Sequence, residues 1–377
     1  MRDAVIVDAV RTPVGKRNGS LAGIHPGNLS AHVLKAIAQR NDFDPVEIDD
    51  IVWGCVSQVG DQSGNVGRVA ALAAGWPESV PGTTVDRRCG SGQQAVTFAA
   101  ASVIAGHYDF AIAGGVESMS RVPMGSAAAD GKPYPDNVLE RYDVEAFNQG
   151  VGAEMVAEKW GLSRQQLDEY SLLSHERAAQ AVDSGELDGQ LARFEGGLQV
   201  DEGIRRGGSP ESMAKLKPAF RPDGVVTAGN SSQISDGSGA LLITTSEIAS
   251  ARGLRPLARI HTVALVGDDP VIMLTAPISA TIKALKKSGL SIGDIGAFEV
   301  NEAFAPVPLA WLAETGADPA RTNPLGGAIA IGHPLGGSGA VLMTRLVHHM
   351  KDNNIRYGLQ TMCEAGGMAN ATILELI

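Results

Sequence analysis

Cysteine is scarce in this chain, with three in 377 residues: Cys55, Cys89 and Cys363. An odd number at such wide spacing is no disulfide framework and gives no zinc-binding pattern. No metal site is expected, and a reducing cytoplasm fits. Positive charge is in deficit. Lys and Arg number 31 against 42 Asp and Glu, a net charge of −11. That argues against nucleic-acid binding, which needs a basic surface for the phosphates. An anionic ligand would need a local basic patch instead. Long apolar runs are missing too, and none approaches the ~20 residues of a membrane span. The chain opens on Ala4-Val5-Ile6-Val7 with no charged leader and apolar signal core before it. It closes on Ile373-Leu374-Glu375-Leu376-Ile377, which is no peroxisomal tripeptide. Asn230-Ser231-Ser232 matches a glycosylation triplet, read here as chance.

Glycine, by contrast, is abundant. There are 46, about 12% against a usual ~7%. They cluster around a few short motifs, so close backbone approach explains them better than disorder. Apolar content of 44% with 19% charged residues is ordinary for a globular protein. A chain of this length holds a large core and two or three domains.

Short β-branched runs alternate with helical patterns. Strands are expected at 4–9, 51–56, 110–114, 240–245, 257–266, 297–300, 357–362 and 371–376, with another at Gly82–Val85. Helices are expected at 29–39, 66–75, 91–106, 277–288, 305–314 and 338–351. The alternation predicts an α/β layered fold. The stretch 91–106 is apolar, small and uncharged, the composition of a helix buried between layers. A weak repeat is present. Gly90-Ser91-Gly92 opens a helix, and the strand after it ends at Gly114-Gly115. Gly337-Ser338-Gly339 opens another helix, followed by a strand and Gly366-Gly367. Two similar halves on a pseudo-twofold axis would bring the helix starts together. Residues 119–234 differ in composition and carry amphipathic stretches at Ala153–Lys159 and Gln165–Ala181. They read as an insertion elaborating the first half.

Cys89 lies between a strand and a helix, in Asp86-Arg87-Arg88-Cys89-Gly90-Ser91-Gly92. A helix N-terminus stabilises negative charge, so a thiol there tends to a lowered pKa. The alternative is a buried structural cysteine. Cys55 has no such setting and reads as core. His333, in Gly332-His333-Pro334 between two glycine pairs, is a candidate base, although a structural histidine is the commoner case. His348 and His349 read as surface residues. Cys363 precedes Glu364-Ala365-Gly366-Gly367 and taken alone is undecided between proton transfer and packing. Asn301 fits either a helix cap or a group holding a water. The charged stretch Arg205–Arg221, with Arg206, Lys215 and Lys217, is either a solvated loop or the local basic patch.

Taken together, Cys89, Asn301-Glu302-Ala303-Phe304-Ala305, Gly332-His333-Pro334 and Cys363 resemble the thiolase family. The likeness runs from Arg11-Thr12-Pro13 through Gly114-Gly115-Val116-Glu117-Ser118-Met119-Ser120 to the last strand. It implies a duplicated α/β/α/β/α fold with an inserted loop domain. Residues 1–118 with 235–254 would form one half, 119–234 the loop domain and 255–377 the other half. It implies coenzyme A-dependent thiolytic cleavage of a 3-ketoacyl-CoA, reversible as a Claisen condensation. Coenzyme A and acyl-CoA enter as substrates, with no permanently bound cofactor, and the protein forms a homodimer or homotetramer.

By the resemblance, Cys89 is the acylated nucleophile, His333 activates it, and Cys363 is the acid/base at the α-carbon. Asn301, through a water, and His333 stabilise the enolate. The backbone N–H groups of Cys89 and Ala365 hold the oxyanion, at roughly 3–4 kcal/mol per donor. Arg205, Ser212, Phe220, Ala228, Ser232, Ala303 and Phe304 fall on coenzyme A-contacting positions.

Three departures stand out. Asn148-Gln149-Gly150 replaces the His-Met-Gly of short-chain biosynthetic thiolases, so chains longer than acetoacetyl are expected. Ala365 replaces a glycine. Asn323-Pro324-Leu325-Gly326-Gly327 replaces Asn-Val-Asn-Gly-Gly. Among rivals, a biosynthetic acetoacetyl-CoA thiolase is weakened by the first departure. A ketoacyl synthase lacks the second catalytic cysteine, and a non-catalytic acyl-CoA or lipid carrier would not keep all four catalytic positions.

Overall fold

A computed structural model describes residues 2–377. Its strands are β1 (Val5–Arg11), β2 (Gly15–Lys16), β3 (Asp50–Gly54), β4 (Gly82–Val85), β5 (Ala111–Ser118), β6 (Ser235–Thr244), β7 (Ala258–Gly267), β8 (Ala297–Val300), β9 (Tyr357–Glu364) and β10 (Met368–Leu376). They form one mixed sheet in the order β4-β3-β5-β6-β1-β7-β10-β9-β8, with β2 pairing β6. The α/β architecture expected from the alternating pattern is present. β3 runs parallel to β4 and β5, and β8 runs parallel to β9. The β4-to-β1 and β7-to-β8 parts of the sheet join through a narrow seam in which Val5 and Ile6 of β1 face Arg259 and Ala258 of β7.

Alternation along β1 sends Val5 and Ile6 to different apolar clusters. Val5, Ile51, Ile112 and Leu242 pack with Leu34 and Ile37 of the helix Pro26–Asn41 and Ala70 of Val66–Ala73. Ile6, Ala111, Leu241 and Leu374 pack with the helices Ser91–Ala105 and Leu335–Asp352. Beyond the seam, Phe298, Leu359 and Ile373 receive Ala280 and Ala284 of Ala276–Ser288 and Trp311 of Pro306–Thr315.

Several boundaries differ from expectation for physical reasons. β5 does not stop at Gly114-Gly115 but runs on to Ser118, because β6 pairs with it as far as Ser118 opposite Asp236. The helix Ser91–Ala105 is buried mainly at its start. Phe98 and Ile104 are 46% and 45% exposed, so small apolar composition did not mean burial on every side. His348 is not on the surface. It is buried in the helix Leu335–Asp352, with Nε2 3.0 Å from the Ala9 carbonyl oxygen, and His349 is half-buried against Glu186. Cys55 is buried in the core, as expected.

The two glycine-rich helix starts are in contact. A Cβ on Gly92 would sit 2.9 Å from the Ala340 nitrogen and 2.9 Å from the Gly336 oxygen. Gly54 meets the same place, with the Gly92 nitrogen at 2.5 Å and the Gly336 oxygen at 2.6 Å from an added Cβ. Backbone lies against backbone here, and neither side has a flexible atom to move. The segment 119–234 is tied to β1 by a buried ion pair, Arg11 to Asp201 at 2.7 Å. Arg11 Nε also donates to Gln190 Oε1 at 2.7 Å. Asp201 accepts from the Val14 N–H at 2.9 Å as well, so the pair is well bonded despite its desolvation.

Gly92→Ala should therefore lower stability by about 1–3 kcal/mol, the usual cost of overpacking. A shift in the denaturation midpoint measures it, and an unchanged midpoint would contradict the close approach.

Candidate active site

Cys89 sits in the turn between β4 and the helix Ser91–Ala105. The turn is built from its own side chains. Asp86 Oδ1 accepts from the Arg88 N–H at 2.7 Å. Ser91 Oγ accepts from the Arg87 N–H at 2.8 Å and donates to the Arg88 carbonyl at 2.6 Å. These bonds hold Arg88 at φ 50°, a left-handed conformation uncommon outside glycine. Gly90 follows because a Cβ there would run into the Glu364 carboxylate and come within 2.7 Å of Asn370 Nδ2.

The expected lowering of the Cys89 pKa is overturned. Burial pushes the thiol up, nearby Cys363 and Glu364 push it further, and the adjacent Gln149 amide only partly opposes them. The helix N-terminus loses to desolvation. Cys89 therefore rests as a neutral thiol and needs a base.

His333 is the candidate base. It is buried, and burial pulls its pKa down to about 4, so the imidazole is neutral. Nδ1 lies 2.6 Å from Ser338 Oγ, whose own proton is directed to the Pro334 carbonyl at 3.0 Å. A hydroxyl has one proton to give. Nδ1 must then be the donor, which leaves Nε2 unprotonated. Nε2 is buried without a partner, free to accept a proton. Glu117 anchors this loop. Its carboxylate accepts from the Gly336 N–H at 2.8 Å, the Val56 N–H at 2.9 Å and the Ser57 N–H at 3.0 Å.

Cys363 ends β9 near Cys89 and is fully buried. Burial pushes its pKa up to about 12, while Asn301 Nδ2, 3.7 Å from the sulfur, pulls the other way. The Asn301 Oδ1 is buried and unpartnered. The amide is thus spent on the thiol, not on a helix cap; Ala305 precedes the helix Pro306–Thr315. Glu302 beside it is a hub that sequence reasoning missed. It accepts from Ser174 Oγ at 2.7 Å, Tyr170 Oη at 2.9 Å, Asn323 Nδ2 at 3.0 Å and the Ile329 N–H at 3.1 Å.

That hub explains the altered Asn323–Gly327 motif. Asn323 also bonds both backbone groups of Val300, at 2.8 and 2.9 Å. An added Cβ on Gly327 would strike Glu302. Leu325 turns away into an apolar cluster with Ala181, Leu187 and Leu191. Asn323 and Gly327 serve the hub, Leu325 faces apolar surroundings, and the change to Pro324 has no structural explanation.

A cavity of about 450 Å³ opens on Cys89, lined also by Gln149, Ala365, Leu335 and Ser57. Gln149 is the second residue missed. Asn148 is no stand-in for an imidazole, because Oδ1 caps the helix Gln149–Lys159 by accepting from the Gly150 and Val151 N–H groups at 3.0 and 3.2 Å. Gln149 instead lines the Cys89 cavity, where its Nε2 is buried without a hydrogen-bond partner. A polar residue where short-chain relatives carry methionine was the available signal.

The expected coenzyme A residues fall into two groups. The Ser232 N–H donates to the Ala303 carbonyl at 2.9 Å, and Phe304 meets Phe220 edge-on at 5.7 Å between ring centres. Ala228 and Ser212 are exposed, and the Ser212 hydroxyl closes a capping turn on Ser209 at 2.7 Å. Arg205 lies in a separate cavity of about 530 Å³ with His175 and Arg206. The basic patch is thinner than its sequence suggests. Asp183 takes both nitrogens of Arg206 at 2.7 Å, and Glu158 sits 3.4 Å from Arg221. Arg205, Lys215 and Lys217 have no carboxylate within 4 Å among the described residues.

A profile of the thiolase N-terminal domain matches residues 4–247, and one of the thiolase C-terminal domain matches residues 254–376. The chain belongs to the thiolase family. Steroid 3-ketoacyl-CoA thiolase FadA6 of Mycobacterium tuberculosis is 49% identical over 386 residues, spanning all of this chain and 94% of its own. The 3-ketoacyl-CoA thiolases of Erwinia tasmaniensis and Bacillus subtilis are 42% and 40% identical, over the full length of both chains in each pair.

Two outcomes follow for this thiolase. Acylation of Cys89 should persist as pH falls through 6.5 and fail only near the His333 value of about 4, where Nε2 becomes protonated. Single-turnover acylation against pH measures this, and a midpoint near 6.5 would contradict a buried neutral imidazole. Gln149→Leu should raise the Cys89 pKa further and slow alkylation by iodoacetamide about tenfold at pH 8, the effect of one unit of thiolate fraction; an unchanged rate would remove Gln149 from the site.

Proposed function

We infer that this chain is a 3-ketoacyl-CoA thiolase that uses coenzyme A to release acetyl-CoA and a shortened acyl-CoA. The reading rests on one observation. Two buried thiols share a site, one opening on an acyl-sized cavity, the other held by an asparagine amide. The 40–49% identity over full length supports it.

The mechanism is ping-pong covalent catalysis. As Cys89 Sγ bonds to the 3-keto carbon, its proton passes to His333 Nε2. The oxyanion is held by the N–H groups of Cys89 and Ala365. The Cα–Cβ bond breaks, its electron pair enters the acetyl-CoA enolate, and Cys363 protonates the α-carbon. The Cys363 thiolate then takes the proton of free coenzyme A. The coenzyme A thiolate so formed attacks the acyl-Cys89 carbonyl, the shortened acyl-CoA forms as the Cys89 C–S bond breaks, and His333 returns its proton to the departing Cys89. Because both resting thiols are neutral, ionisation coincides with bond making. Asn301 steadies Cys363 and, through its free Oδ1, a water at the enolate. Ser232, Ala303, Phe304 and Phe220 would carry the pantetheine, with Ala228 and Ser212 beside them and Arg205 at the nucleotide end.

The duplicated halves, 1–118 with 235–254 and 255–377, and the loop domain 119–234 are part of the same proposal. The contact between the two glycine-rich helix starts supports the duplication. So is assembly into two or four copies in the cytoplasm. β4 supports assembly: it ends the sheet with a free edge and an exposed Thr83, a template for pairing with another chain. No helix among the described residues is long and apolar enough to cross a membrane. An acyl group larger than acetoacetyl fits the cavity, whose ~450 Å³ falls in the range that takes drug-sized ligands. A biosynthetic acetoacetyl-CoA specificity is the weaker reading for that reason.

Cys89→Ser should abolish both the acyl adduct seen by mass spectrometry and thiolysis. Cys363→Ser should still be acylated by a simple acyl-CoA yet fail to exchange deuterium into acetyl-CoA. Exchange at the normal rate would reassign Cys363. Across 3-ketoacyl-CoA substrates, kcat/KM should change by ~1–3 kcal/mol per methylene without a sharp cutoff. Cleavage of acetoacetyl-CoA alone would return the chain to the biosynthetic class.

A further inference from the structure

The cavity at Cys89 is not uniformly apolar. Met124, Ala127, Ala128, Pro133 and Leu335 make a greasy wall, but two cations, Arg88 and Lys132, line it as well. No carboxylate lines it. In a protein of net charge −11, two cations in a chamber meant for a hydrocarbon chain need a reason.

Ion pairing within the protein does not supply that reason. Asp86 is 3.5 Å from Arg88 and Asp136 is 3.9 Å from Lys132, both near the outer limit of an ion pair. All four side chains are at least a third exposed, and such pairs hold little. Asp86 is engaged elsewhere, since its Oδ1 accepts from the Arg88 backbone N–H. Arg88 is also in the left-handed conformation, held there by the turn that presents Cys89. The strained turn thus places the nucleophile and a guanidinium together on the same cavity wall. Lys132, 84% exposed, marks the solvent side.

We propose that the acyl chain of the substrate ends in a carboxylate, received by Arg88 and Lys132 while Cys89 attacks the 3-keto carbon. This rests on the thiolase reading and narrows its substrate class. A guanidinium matches a carboxylate with two parallel N–H···O bonds, and lysine adds a point charge. The carboxylate is a spectator. Coenzyme A and the 3-keto diacid monothioester give acetyl-CoA and a diacid monothioester two carbons shorter, with no other reactant.

The test compares matched substrates of six and ten acyl carbons, one of each pair ending in a carboxylate and the other in a methyl group. Each is offered both as a coenzyme A thioester and as a pantetheine thioester, which lacks the phosphates. The wild type should favour the carboxylate in kcat/KM by about tenfold at one or both lengths, equal to ~1.4 kcal/mol. The ratio, read within each variant, should fall towards one in Arg88→Met with Lys132→Met. It should do so in the pantetheine series too. Equal cleavage of both substrates, or an undiminished ratio in the double variant, would overturn the proposal. So would a loss confined to the coenzyme A series and equal for both chain ends, which would assign the cations to the phosphates. Failure to cleave any 3-ketoacyl-CoA would overturn the thiolase reading itself, a different result from cleavage without preference.

Discussion

Everything at the centre of this molecule depends on backbone approaching backbone without side chains between. Gly54 at the end of β3, Gly92 at one helix start, and Gly336 and Gly339 at the other meet within contact distance of main-chain atoms. Gly115 on β5 joins them and leaves no room for a Cβ. Main-chain atoms cannot rotate away as side chains do, so the two helix starts have a single relative placement. One start carries Cys89 and the other carries His333 just before it. The same constraint that closes the core therefore brings Cys89 and His333, the proposed nucleophile and base, into one region.

Two buried carboxylates extend that order outward. Glu117 binds the strand-end segment Val56-Ser57 to the His333 loop through Gly336. Glu302 binds the Asn301 segment to the helix Arg164–Asp183 through Tyr170 and Ser174. Burial raises the pKa of each, and several donors oppose that rise. A half-satisfied buried carboxylate would be costly; these two are saturated, so they rigidify. The thiols of Cys89 and Cys363 are treated differently. They are buried with few partners and stay neutral. Rigid, hydrogen-bonded carboxyl groups flank the site, and uncharged sulfur occupies it. A negatively charged enolate or oxyanion is then the new charge that the free donors meet.

The motifs around both cysteines, His333 and Asn301 were legible in the chain because each needs particular residue types at short spacing. So was the strand–helix alternation, since periodicity is local. Gln149, Glu302 and Glu364 were not legible. Each gains its role from a partner distant in sequence: Cys89 for Gln149, Tyr170 and Ser174 for Glu302, Gly90 for Glu364. His348 was misread because its partner, the Ala9 carbonyl, lies 339 residues away.

By itself the sequence determined the chemistry's parts list: which atoms can act as nucleophile, base and proton donor, and where glycine leaves space for them. Residue type and local spacing carry that information. Only the tertiary structure decided the protonation states. A helix N-terminus favours a Cys89 thiolate, but complete burial beside Cys363 and Glu364 outweighs it. Desolvation is a property of everything packed around a group, contributed from across the chain, and no local pattern encodes it. The same holds for the cavity wall. Arg88 and Lys132 are 44 residues apart and face one space only because the segment around Met124–Tyr134 folds against the turn that holds Cys89.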